Sequence, residues 1–155
     1  MQEDHLYYMH QCLELAKTAL AAGDPPVGTI VVFESKVIGT GIESGRSSGD
    51  VTNHAEILAV RDAIKNGYAA ALHKSSLYTT HEPCWMCAYA IRHYQIPEIV
   101  YGTAVPFIGG ATSKFNILST RDVPKWNDNP KIISGICLDE CNQLNKAFQK
   151  LLNKL

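Results

Sequence analysis

The sequence predicts an α/β fold, a three-layer α/β/α sandwich built as one domain over residues 1–155. Two observations predict it. Segments with apolar residues at helical spacing alternate with short β-rich runs, and that order demands crossover connections and a partly parallel sheet covered on both faces. The chain has 155 residues, 46% hydrophobic and 19% charged, enough to bury one core, with no internal repeat and no linker to a second.

Leu6, Met9, Leu13, Ala16 and Leu20 mark an amphipathic helix that stops at Gly23 and Asp24-Pro25-Pro26. Val27 to Phe33 and Val37 to Ile42, separated by Glu34-Ser35-Lys36, read as an antiparallel hairpin. Gly41 to Thr52 reads as a polar loop. Helical spacing returns at Ile57, Val60 and Ile64 and ends near Asn66-Gly67. Ser76 to Thr80 is a short strand, Pro83 opens a helix to about Tyr94, and Ile99 to Tyr101 is a further strand. Thr103 to Asn129 is irregular; its Trp126-Asn127-Asp128 is read as a pocket lid or a loop anchor. Lys131 to Cys137 is the last strand candidate, followed by a helix with Cys141, Leu144, Phe148 and Leu151 on one face.

Lys plus Arg total 14 against 15 Asp plus Glu, so the basic excess expected of a protein living on phosphate backbones is missing. Lys146, Lys150 and Lys154 line up on the last helix but read as a solvated face near its C-terminus. No apolar run reaches membrane-spanning length. The polar start of the chain reads as a helix and not a signal peptide, which makes the cytoplasm the expected location. Five cysteines, two of them as Cys84-x-x-Cys87, point to metal or redox chemistry before a disulfide framework. Cys12, Cys137 and Cys141 read as small buried hydrophobes.

Chemistry concentrates in His54-Ala55-Glu56 and Pro83-Cys84-Trp85-Met86-Cys87. Both groups fall at expected helix N-termini, where unpaired N–H groups and the helix dipole favour thiolates. Two thiolates and an imidazole make a three-ligand zinc site with an open fourth position for water, the pattern of catalytic zinc. Glu56, beside the metal but not bound to it, is placed to move protons. Each half has a plainer reading: Asn53 with Glu56 fits a capping box, and Cys-x-x-Cys fits a structural zinc site closed by His81, or a redox pair. His-x-Glu followed by Pro-Cys-x-x-Cys, with 29 residues between His54 and Cys84, is far more specific than either half.

With Pro26-Val27-Gly28, His54-Ala55-Glu56-Ile57, Leu77-Tyr78-Thr79-Thr80 and Glu82-Pro83-Cys84-Trp85-Met86-Cys87-Ala88, nearly the whole chain resembles the cytidine and deoxycytidylate deaminase superfamily. Its nearest-looking branch holds guanine deaminase, fungal cytosine deaminase and bacterial tRNA adenosine deaminase. The resemblance implies a five-stranded mixed sheet, one Zn2+ per chain and a homodimer. It further implies substrate contacts at the Cys84 N–H and the Glu82 carbonyl, and at Phe107, which reads equally as a loop aromatic packed on the core. One position departs from the branch, which carries Asn where this chain has Glu43. Ionised Glu only accepts hydrogen bonds, so Glu43 is either a pocket acceptor or a solvated loop carboxylate.

The expected function is therefore zinc-dependent hydrolytic deamination of a small aminated heterocycle, a free nucleobase in purine or pyrimidine salvage. The alternative is adenosine-to-inosine deamination of tRNA by the same site, and a third reading is a non-catalytic structural-zinc module.

Overall fold

The sheet is organised by its first hairpin. A computed structural model describes residues 2–126 and 128–155 of the chain. Strands β1 (Gly28–Phe33) and β2 (Lys36–Ile42) pair antiparallel through a two-residue turn. Glu34 and Ser35 both take positive φ, 48° and 62°, the turn geometry that follows the natural twist of paired strands. β1 then pairs on its other edge with β3 (Ser76–His81), also antiparallel, putting Thr29 opposite Thr79. β3, β4 (Glu98–Thr103) and β5 (Lys131–Ile133) are mutually parallel. The result is a five-stranded mixed sheet in the order β2-β1-β3-β4-β5.

Helices cover both faces. On one, α1 (Gln2–Ala21) packs on β1 and β3, and α5 (Leu138–Leu152) packs on α1 and β4. The core there is Met9, Cys12, Ile30, Val32, Tyr78 and Val100. On the other face lie α3 (Ala55–Lys65), α4 (Trp85–His93) and a 3-10 helix, Ala69–Lys74. Val31, Ile38, Leu77, Ile91 and Ile99 fill that second core. Alternate residues of β1 thus feed opposite cores, as the two-residue period of a strand requires.

α3 lies unusually close to β2 because both surfaces are small. Ala55, Ala59 and Ala63 face the glycines of β2, and a methyl group at Gly41 would overlap the Ala55 carbonyl. That approach fixes the start of α3, and with it residues 54–56, beside the start of β1 and the end of β3. A short helix α2 (Gly45–Ser48) interrupts the segment expected to be loop. Ser47 N–H donates to the fully buried Asp24 carboxylate (2.8 Å), which ties α2 to the end of α1.

The last strand is shorter than the sequence suggests. After Ile133 the chain turns at Gly135 (φ 81°), and Cys137, at φ 55°, starts α5. No helix among the described residues is long and apolar enough to cross a membrane.

Candidate metal centre and active site

Two helix N-termini meet at the end of the sheet. His54 is the N-cap residue of α3 and Cys84 that of α4, with Cys87 in the first turn of α4. The ligand atoms of His54, Cys84 and Cys87 lie within 4.8 Å of one another, the only such group of three among the described residues. His54 Nδ1 is 3.4 Å from Cys84 Sγ and 3.6 Å from Cys87 Sγ. A tetrahedral zinc with ordinary bond lengths would hold sulfur and nitrogen ~3.55 Å apart, so the donor set fits the ion.

The charges are arranged for metal capture. Hydrogen bonds from Cys87 and from His54 pull the Cys84 thiol down to about 4, overcoming its burial. The same bond to Cys84 raises His54 to about 9, while Cys84 and burial push Cys87 well above the ordinary thiol value. Cys84 is therefore a thiolate at neutral pH, beside one thiol and one imidazolium whose protons a cation would displace.

Glu56 lies in the first turn of α3, 4% exposed, and burial raises its carboxyl to about 7. Its Oε2 is 3.5 Å from Cys87 Sγ. Thr79 Oγ1 donates to Glu56 Oε1 at 3.1 Å, and Thr29 Oγ1 donates in turn to Thr79 Oγ1 at 2.9 Å. The strand register that opposes Thr29 and Thr79 thus orients the carboxylate. The capping-box reading fails: His54 and not Asn53 is the N-cap, with no side-chain cap, and the Asn53 amide donates to Ser48 Oγ. Thr79→Val keeps the shape and breaks this relay. We expect kcat about tenfold lower at unchanged zinc content and a loss of about 1–2 kcal/mol in a denaturant melt.

A cavity of about 170 Å³ opens on these groups, walled by Pro25, Val27, Glu43, His81, Val105 and Ile108 together with His54, Glu56, Glu82 and Cys84. Glu43 is 7% exposed, so it is a wall residue and not a solvated loop carboxylate. Burial raises its carboxyl, opposed by His54 and by the N–H groups of Ala55 and Gly45. Its Oε2 accepts from Ala55 N–H at 3.1 Å.

His81 lines the cavity but stands outside the ligand cluster, so the closed four-ligand structural site is not formed. Burial lowers it to about 4, only partly offset by a hydrogen bond with Asn145. It is neutral when folded, and the unfolded chain binds a proton more readily. Its contribution to stability is complete above about pH 6.5 and drains away as pH falls towards 4. Melting His81→Asn beside the parent from pH 7 to pH 4 should show the parent losing more of its Tm.

Glu82 contributes in a way the sequence does not announce. Its buried carboxylate accepts from the N–H groups of Val105 (2.9 Å), Ala111 (2.8 Å) and Thr112 (2.8 Å), and from the Thr112 hydroxyl (2.5 Å). One side chain thereby folds the irregular segment after β4 over the start of α4. Gly109 sits on that carboxylate and opposite Cys84 in an isolated antiparallel bridge. The bridge bonds come from the neighbours, Gly110 N–H to Pro83 O and Trp85 N–H to Ile108 O, so the bridge does not use the Cys84 N–H.

The same loop corrects the reading of Phe107. Ile108 is turned into the cavity by its bond to Trp85, which leaves Phe107 outside, 90% exposed and neither a cavity wall nor packed on the core. Trp126 is an anchor and not a lid: it packs edge-on against Tyr89 and under the Arg92 guanidinium. Arg92 also donates to the carbonyls of Ile117, Leu118 and Thr120. Asn127 lies outside the described residues.

Residues 2–103 match the cytidine and deoxycytidylate deaminase zinc-binding region. The tRNA-specific adenosine deaminase of Haemophilus influenzae is 40% identical over 144 residues, 92% of this chain and 82% of the relative. That of Aquifex aeolicus is 33% identical over 96% of this chain and 97% of its own length. Among solved structures, one from work on A-to-I editing by tRNA A34 deaminases at the wobble position superposes with a TM-score of 0.81 at 31% identity, covering 89% of this chain and 98% of that one. These names overturn the expectation of a free nucleobase and of a salvage role, and they favour the tRNA alternative. The near-neutral charge misled because a total of -1 constrains no local surface. With the zinc-site geometry and a match across two thirds of its length, the chain belongs to the cytidine and deoxycytidylate deaminase family.

Proposed function

We propose that the chain deaminates adenosine in tRNA to inosine. The observation that carries this is the likeness, over almost the whole chain, to proteins named tRNA-specific adenosine deaminase. The cavity chemistry agrees with it. A zinc ion held by His54, Cys84 and Cys87 would supply a water acidified towards neutrality.

Glu56 accepts the proton of the attacking oxygen and returns it to ring N1, then moves a second proton to the departing amine. A C6–O bond forms, the C6–N bond breaks, ammonia leaves and the ring becomes the carbonyl form. A carboxyl near neutrality suits both transfers. The Cys84 N–H and the Glu82 carbonyl are the polar contacts assigned to the reacting edge. The target base must leave its stack to enter the cavity, and unstacked RNA is gripped by exposed rings. Phe107, beside the cavity wall at Ile108, offers one outside the cavity. A homodimer accompanies this reading.

The test is inosine formation in an unmodified tRNA transcript with adenosine at the wobble position, read by sequencing of the reverse transcript. Conversion confined to that adenosine supports the proposal, and an unchanged transcript with zinc-loaded protein refutes it.

A further inference from the structure

Glu43 presents a fixed acceptor to a substrate whose base has almost nothing to donate. The residue follows β2 directly, and its backbone N–H is bonded to the Val27 carbonyl. Ser44 N–H is bonded to the Asn53 carbonyl, so the segment carrying Glu43 is strapped to the start of α3. Oε2 takes the Ala55 N–H at the α3 N-terminus, and Oε1 lies against Gly45, where a Cβ would come within 3.1 Å. A carboxylate seated this way has lone pairs left, and it forms part of the cavity wall with Glu56, His54 and Cys84.

Adenine offers ring acceptors at N1, N3 and N7, and its only N–H groups belong to the amine that departs. Within an RNA strand the 3′ and 5′ oxygens are esterified. The one remaining donor of the target nucleotide is the ribose 2′-OH. We propose that Glu43 accepts a hydrogen bond from that hydroxyl and so makes the site select a ribonucleotide over a deoxyribonucleotide. The inference rests on the tRNA reading above. It follows from pairing a buried carboxylate, held as an acceptor by the Ala55 N–H, with the sole donor available, since leaving its open lone pairs facing ring nitrogens would waste the contact.

The experiment uses RNA hairpins of the tRNA anticodon arm that differ only at the sugar of the target adenosine: ribose, 2′-deoxy, 2′-fluoro and 2′-O-methyl. Full-length zinc-loaded wild type and Glu43→Gln are compared by kcat/KM. The amide oxygen of Glu43→Gln can still accept the Ala55 N–H, and its NH2 then takes the place of the acceptor Oε1. Wild type should prefer ribose over 2′-deoxy by about 10- to 100-fold. The 2′-fluoro sugar, an acceptor without a donor, should be as poor as 2′-deoxy. In Glu43→Gln the preference should fall to within about threefold of unity.

Equal rates on ribose and 2′-deoxy by the wild type overturn the inference and leave the tRNA reading standing. So does a ribose preference that Glu43→Gln retains, or a Glu43→Gln loss equal on both sugars, which would place Glu43 at the amine. No conversion of the all-ribose hairpin or of the full transcript overturns the tRNA reading, and this inference with it. The wild-type sugar series decides the matter even if the variant fails to fold.

Discussion

Glu56→Gln should abolish deamination while leaving the protein at least as stable as its parent. The amide keeps the carboxylate's shape and can still accept from Thr79 Oγ1, so the fold around it is unchanged. It cannot carry a proton between the attacking oxygen, N1 and the leaving amine, and positioned acid–base groups are worth about 10²- to 10⁴-fold. Serving more than one transfer puts Glu56 at the upper end, so kcat should fall by about 10³- to 10⁴-fold at unchanged zinc content. Stability moves the other way in metal-free protein. Burial raises the carboxyl to about 7, so above its unfolded value folding must hold a poorly solvated charge or bind a proton. The penalty grows from about pH 4.5 to about pH 7, reaching on the order of 3 kcal/mol. Glu56→Gln should therefore gain over wild type at pH 8 and show little difference at pH 4, read by denaturant melts of chelator-treated samples.

Cys87→Ala should release the metal and take all activity with it. It leaves two ligands, His54 and Cys84, where catalytic zinc needs three. Plasma mass spectrometry after dialysis should find about one zinc per chain in the parent and almost none in the variant. Because two packed cores exist apart from the site, the variant should stay folded with a lowered Tm, unlike small domains that need zinc to fold. The parent's affinity carries a pH signature. Below about 9 His54 is protonated in the metal-free state, and Cys87 is a thiol. Zinc must displace both protons, so its affinity should rise steeply with pH up to about 9, by up to about a hundredfold per unit. A slope of only about tenfold per unit would mean that one of these two groups is not a ligand, and a pH-independent affinity that neither is.

The parts of this site written locally in the chain could be read from it. His54, Glu56, Cys84 and Cys87 belong to two short motifs whose residue types have few other uses in that combination, and the helix starts that hold them follow from apolar periodicity. Thr79 could not be found that way. Its role depends on a strand register that opposes it to Thr29 across 50 residues and aims it at Glu56 across 23. The motif points to the Glu82 carbonyl, yet the carboxylate does more, folding a loop up to 30 residues away. The place of Phe107 outside the cavity was illegible for a related reason: which of two adjacent residues faces a cavity is decided by the Trp85 bond to Ile108, a contact no local pattern encodes. His81 sits near the cysteines in sequence, but burial keeps it neutral against its hydrogen bond with Asn145 of α5, and it stays out of the ligand cluster. Substrate class was least legible, because a net charge says nothing about where the charges lie.

The most direct measurement is inosine at the wobble adenosine of a tRNA transcript, quantified under single-turnover conditions with zinc-loaded wild type and zinc-loaded Glu56→Gln side by side. Wild type should convert that adenosine fully, releasing one ammonia for each inosine, and Glu56→Gln should be slower by at least about 10³-fold. Equal rates in the two proteins, or an unconverted transcript beside brisk ammonia release from a free base, would contradict the account.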